Sequence, residues 1–169
     1  MINQNNAKNI RPPAVASMFY PVGAAELRKA VQNYLSNAGT EEDVSQLKKE
    51  EFAELRTLIV PHAGYIYSGK IAASAYRLLE QNKNQFKRVL LLGPAHRVLL
   101  EGAAFPEMDA FETPLGEITL DKELIEKILA EFSWISVSDN AHSEEHCLEV
   151  QLPFLQETLG EFKLLPLVV

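Results

Sequence analysis

Apolar residues cluster along the 169-residue chain in groups whose spacing predicts an α/β order of elements. Leu58, Ile59 and Val60 form one contiguous apolar run, and Val89 to Leu92 after Arg88 form another; both read as short buried strands. Between them, Tyr65 to about Glu80 carries Ile66, Ala73, Tyr76, Leu78 and Leu79 on a helix-like pattern among good helix formers. Strand, helix, strand in this order predicts a right-handed crossover joining parallel strands, so that both strands end at one edge of the sheet. Pro61 and Pro94 favour extended backbone at Val60 and Gly93. His62 and His96 then emerge at that edge, where open α/β sheets bind ligands, roughly 5 to 10 Å apart depending on whether the strands are neighbours. For either histidine alone a loop or core role is the plainer reading. The matched pair favours a site.

The remaining pattern extends the same class. Residues 24–35 predict an amphipathic helix with Leu27, Val31 and Leu35 on one face. Extended pieces are expected at 103–105 and 117–120, joined through the turn-forming ETPLG. Asp121 suits the N-cap of a helix running to about Phe132, and SWISVS at 133–138 alternates as a strand does. Ser143 can cap a further helix with Glu144 and Glu145 in its first turn, which Pro153 would kink or end. KLLPLVV at 163–169 reads as a last buried strand. Near the start, residues 1–10 are polar and expected to be loosely attached. RPPAVASMFYP at 11–21 reads as an arm laid over the core, with Tyr20 in the site wall as the lesser alternative. The charged stretch TEEDVSQLKKEEFAEL suits a solvated linker or surface helix.

Composition narrows the function classes. A net charge of −7 with scattered basic residues argues against nucleic acid as a partner. No apolar run approaches a membrane span and the N-terminus lacks a signal-peptide core, so a cytoplasmic protein of one domain over 1–169 is expected. Cys147 is the single cysteine, which leaves histidine and carboxylate as the material for any metal site. His142 and His146 have the four-residue spacing of zinc-binding helices, but the HExxH motif is absent and His142 is expected to precede the helix. His146 is therefore expected in the cleft and His142 outside it. Glu145 and Glu149 are either outer partners of the site or surface charge. A Cys147–His146 dyad is disfavoured because adjacent helical residues do not face each other.

Five segments in order, FYP, LIVPHAGYIYSG, RVLLLGPAHR, TPLGEI and EHCLEVQLPFLQ, together resemble the Memo family, whose prokaryotic members are called AmmeMemoRadiSam system protein B. The resemblance implies a fold like that of LigB-type class III extradiol dioxygenases, a three-layer αβα sandwich with a largely parallel or mixed sheet. It implies a metal site at His62 and His96 holding iron or copper. Cys147 stands where the family pattern has serine. Family members continue past the PLVV strand with a further site histidine and a cysteine, so the chain resembles a C-terminally incomplete member.

Two functions are then expected, beside the plainer reading of a protein that merely holds metal. One is metal-dependent redox or oxygen chemistry on a small molecule, with His146 and Tyr65 as catalytic groups; the other is a non-catalytic module binding a peptide or small ligand in the same cleft. Apolar surface left uncovered leads to an expectation of self-association, or of association with a missing C-terminal portion.

Overall fold

The computed structural model describes residues 8–39 and 55–169. The chain is of the α/β class, with helices packed on mixed sheets. One sheet has three strands in the order β1 (Ile10–Arg11), β4 (Ala110–Thr113) and β5 (Gly116–Thr119). The other has four, in the order β2 (Arg88–Gly93), β7 (Lys163–Val168), β3 (Ala103–Phe105) and β6 (Ile135–Val137). β2 and β7 run parallel in full register from Arg88↔Lys163 to Gly93↔Val168, whereas β3 lies antiparallel to β7 and parallel to β6. A parallel bridge, Leu120↔Leu164, connects the end of β5 to the larger sheet.

Three helices pack on one another beside the sheets: α1 (Ala24–Ser36), α2 (Tyr65–Tyr76) and α5 (Leu152–Leu159). Leu27 and Val31 of α1 and Leu152 of α5 are fully buried, so the stripe predicted from the 24–35 spacing is the packed face. Gly69 lets α1 and α2 approach: a Cβ there would lie 2.9 Å from Cζ of Tyr34. Helix α3 (Lys122–Glu131) starts at Asp121, whose side chain accepts from the Leu124 N–H and also pairs with Arg88 Nε at 2.5 Å. Among the described residues, no helix is long and apolar enough to cross a membrane.

Several expectations are corrected. Residues 58–60 join no sheet; Leu58 and Val60 pack on the core while Ile59 is 96% exposed. The partner of β2 is instead β7, because the six-residue strand at 163–168, apolar from Leu164 onward, offers a full ladder that three residues cannot. Helix α2 ends at Tyr76 and continues as a 3-10 segment, Arg77–Asn82. Its buried face is Tyr65, Ser68, Gly69, Ala72, Ala73 and Tyr76, with Ile66 turned out to solvent.

The turn at Pro114 and Leu115 closes a hairpin of β4 with β5, while Ala103–Phe105 belongs to the other sheet. Ser138, not Ser143, caps the next helix, α4 (Asp139–Ser143), by accepting from the Ala141 N–H at 3.2 Å. Pro153 sits in the first turn of α5 rather than at an end or kink, where a missing N–H costs nothing. Near the N-terminus, Ile10 is not loose: β1 pairs with β4. Residues 1–7, and 40–54 of the charged stretch, lie outside the described residues.

Candidate metal centre

Each histidine of the cleft is brought in by a different piece of chain. His96 follows the carboxyl end of β2, where Ala95 N donates to Val169 O and Val169 N to Gly93 O, closing the strand ends together. His62 stands just before helix α2. His146 follows α4 in a turn leading into the 3-10 segment Glu149–Gln151. The rings converge: centroids lie 5.2 Å apart for His62 and His96, 4.6 Å for His96 and His146, and 6.2 Å for His62 and His146. The expected approach of His62 to His96 is thus observed, although the strand-pairing geometry offered for it is not.

Glu145 organises this group. It is 3% exposed, and its Oε1 accepts from His96 Nδ1 at 2.9 Å and from the main-chain N–H groups of His146 and Cys147 at 2.8 and 2.9 Å. Oε2 accepts from the His96 N–H at 2.6 Å. Burial pushes this carboxyl up, but the hydrogen bonds from the His96 and Cys147 N–H groups, the His96 ring and the His146 N–H outweigh it and hold it at about 2. A carboxylate that only accepts makes Nδ1 of His96 a donor, so that the lone pair of the neutral ring is on Nε2.

His146 is half-buried beneath Phe19, whose ring centroid lies 4.8 Å away. Burial lowers its affinity for a proton; Glu145 opposes this, and His96, His62 and Arg97 add to it. Its Nδ1 is a buried nitrogen without a hydrogen-bond partner, lying 3.3 Å from Glu145 Oε1 but not aligned as a bond to it. One ligand atom each from His96, Glu145 and His146 fall within 4.8 Å of one another.

The other residues singled out in the sequence take different places. His142 is 1% exposed, within α4, and donates Nε2–H to Ala104 O at 2.9 Å, its ring edge-on to Phe111. It lies outside the histidine group, although it is helical rather than in a preceding loop. His142 and His146 share no helical face, because α4 ends between them. Tyr65 is buried, and its hydroxyl donates to Val150 O at 2.9 Å; burial and neighbouring phenols raise its pKa well above the ordinary value. Cys147 is buried, with Sγ–H donating to Pro94 O at 3.1 Å.

The arm at 11–21 does cover the core. Tyr20 is buried with its hydroxyl on Glu149, and it is Phe19 that faces a cleft histidine. The sequence leaves Glu145 undecided between site and surface, and offers Phe19 only as part of the packed arm, with no place in the cleft. The sole sign available for Glu145 is its place beside His146.

The Memo family, described as Memo-like protein, matches residues 11–169. The chain belongs to the Memo family. It is 41% identical over 161 residues to a MEMO1 family protein of Aquifex aeolicus, covering 95% of this chain and 55% of the relative. A MEMO1 family protein of Ignicoccus hospitalis is 37% identical over 164 residues, covering 95% and 56%. A third, from Sulfolobus acidocaldarius, is also 37% identical over 164 residues, covering 95% and 57%. This Memo family chain therefore spans about half the length of the curated relatives it matches.

Proposed function

We propose that the cleft holds a first-row transition metal, iron or copper as the family resemblance implies, through His62, His96 and His146. The reaction it serves is redox or oxygen chemistry on a small molecule. The observation that carries this reading is the mutual approach of three imidazoles, together with a buried His146 Nδ1 that has no hydrogen-bond partner. Such a nitrogen is costly to bury without a partner, and a metal ion or a proton donor on a ligand would satisfy it. The donor set fits: imidazole suits iron and copper, and Glu145 in contact with His96 makes the carboxylate–histidine pair that orients ligand imidazoles.

When bound, such a metal supplies Lewis acidity and access to a second oxidation state. The chain's own residues do the rest. Glu145, ionised throughout the physiological range, gives the pocket a negative charge that favours a cation and fixes the His96 tautomer. Four hydrogen bonds occupy most of its lone pairs, so it serves as an orienting group rather than as a ligand. Phe19 shields one face of His146 from water. Tyr65, with its hydroxyl on Val150 O, ties helix α2 to the segment that carries His146 and acts by positioning.

Metal analysis of protein purified without chelator or affinity metals tests the reading. Near-stoichiometric iron or copper is expected, with loss in His96→Ala; metal-free protein that also takes up no added iron, copper or cobalt would overturn it. The half-exposed ring of Phe19 beside His146 supports a second reading, a peptide- or ligand-binding module. Ligand binding that is equal in metal-free and metal-loaded protein would favour that reading.

A further inference from the structure

The seven residues from Glu145 to Gln151 carry three buried polar side chains, each tied to a different wall of the cleft. Glu145 holds His96. Glu149, with no exposed surface, accepts from Arg11 Nη1 at 2.7 Å, from the Ala14 and Val15 N–H groups at 2.8 and 3.0 Å, and from the Tyr20 hydroxyl at 2.5 Å. Arg11, 1% exposed, returns to the same segment: Nε donates to His142 O at 2.7 Å and Nη2 to Glu145 O at 2.6 Å. Gln151 donates Nε2–H to Pro61 O at 3.0 Å, the carbonyl next to His62, and its Oε1 accepts from the Tyr76 hydroxyl at 2.9 Å. Pro61 O can only accept, so the amide is oriented without ambiguity.

Burying an ion pair and an amide is a poor route to stability, since apolar residues of the same volume often do as well or better. What such groups supply is direction. The guanidinium fork fixes two carbonyls three residues apart, and with them the turn that presents Glu145 and His146.

We propose that Gln151 and the Arg11–Glu149 pair are positioning residues of the histidine cleft. Gln151 sets the Pro61–His62 corner, and Arg11, gripped by Glu149, sets the turn that brings Glu145 and His146 to His96. One readout rests on the metal reading above; the other does not need it.

The variants are Gln151→Met, similar in length but without the amide, and Arg11→Lys, which keeps the charge facing Glu149 but loses the fork. Should Arg11→Lys fail to fold by circular dichroism, Tyr20→Phe replaces it, removing one donor to Glu149. In metal-free full chain, long-range 1H–15N spectra of the imidazoles are expected to show His62 displaced by Gln151→Met with His142 unmoved. The same spectra should show His146 displaced by Arg11→Lys or its replacement. Cobalt(II) titration is expected to give affinities about tenfold or more weaker, with altered visible bands, in both variants.

Folded variants with wild-type imidazole resonances would overturn the proposal, as would unchanged cobalt affinity and bands beside a wild type that binds. A wild type that takes no cobalt counts against the metal reading, and the imidazole spectra then decide the positioning on their own.

Discussion

Glu145 grips His96 at two points, taking the main-chain N–H on Oε2 at 2.6 Å and the ring Nδ1–H on Oε1 at 2.9 Å. Both the loop after β2 and the plane of the imidazole are thereby set by one buried charge. Glu145→Gln replaces an acceptor oxygen with an NH2 group that cannot accept, leaving at least one of these donors unpaired. Metal affinity is expected to fall about 10- to 100-fold, measured by competition titration with a chromophoric chelator.

His142 makes the fold acid-sensitive. Burial holds its pKa down at about 4, with the bond to Ala104 O opposing, against an ordinary value of 6.5. The unfolded chain therefore binds a proton that the folded chain refuses, so the contribution to stability is full above pH 6.5 and is lost as pH falls toward 4. At pH 5 the loss relative to pH 7.5 is about 2 kcal/mol. Urea unfolding of His142→Gln at the two pH values should show a dependence smaller by that amount; an equal dependence in wild type and variant would contradict the assignment.

Gly93 is required by its neighbours. A Cβ at this position would lie 2.6 Å from Cys147 Sγ and 2.9 Å from Leu148 Cδ2. Gly93→Ala is expected to cost about 1 to 3 kcal/mol, because the smaller core cluster of Ala104, Ala141, Cys147, Leu148 and Val168 must shift. The same packing protects the thiol. Burial first, and the Glu145 charge second, push the Cys147 pKa up, so a disulfide reagent should modify native wild type only as fast as the chain opens. In Gly93→Ala, labelling should be faster.

Leu90 and Leu92 share one face of β2 and are 59% and 60% exposed. Apolar side chains in such an array promote association. Sedimentation velocity of the chain is expected to show species larger than a monomer at raised concentration, with Leu90→Thr/Leu92→Thr shifting the distribution toward monomer. Because neither side chain is in the core, the double variant should unfold within about 1 kcal/mol of wild type.

The local rules that were legible in the sequence share a short range. The stripe Leu27, Val31, Leu35, the Asp121 cap and the apolar run from Leu164 to Val168 each depend on contacts within a few residues or on simple burial, and each takes its expected form. His62 and His96 were visible because both follow apolar runs ending near a proline. Ser143 misled because Ser138 offers the same capping chemistry five residues earlier, and one sequence does not rank two equivalent caps. Leu58 to Val60 misled because three apolar residues are compatible equally with a strand and with an extended segment packing alternate side chains.

By itself, then, the sequence determined the α/β class, the family motifs and the two histidines at the ends of apolar runs. The tertiary structure decided that β2 pairs with β7, that His146 joins His62 and His96 while His142 turns to Ala104 O, and that Phe19 and Glu145 complete the cleft. It also decided that Arg11, Glu149 and Gln151 are buried partners and not surface polar residues. The physical reason is distance along the chain. Arg11 meets Glu149 across 138 residues and His96 meets Glu145 across 49, and a polar side chain's worth depends on which partner reaches it after burial, which no local pattern encodes.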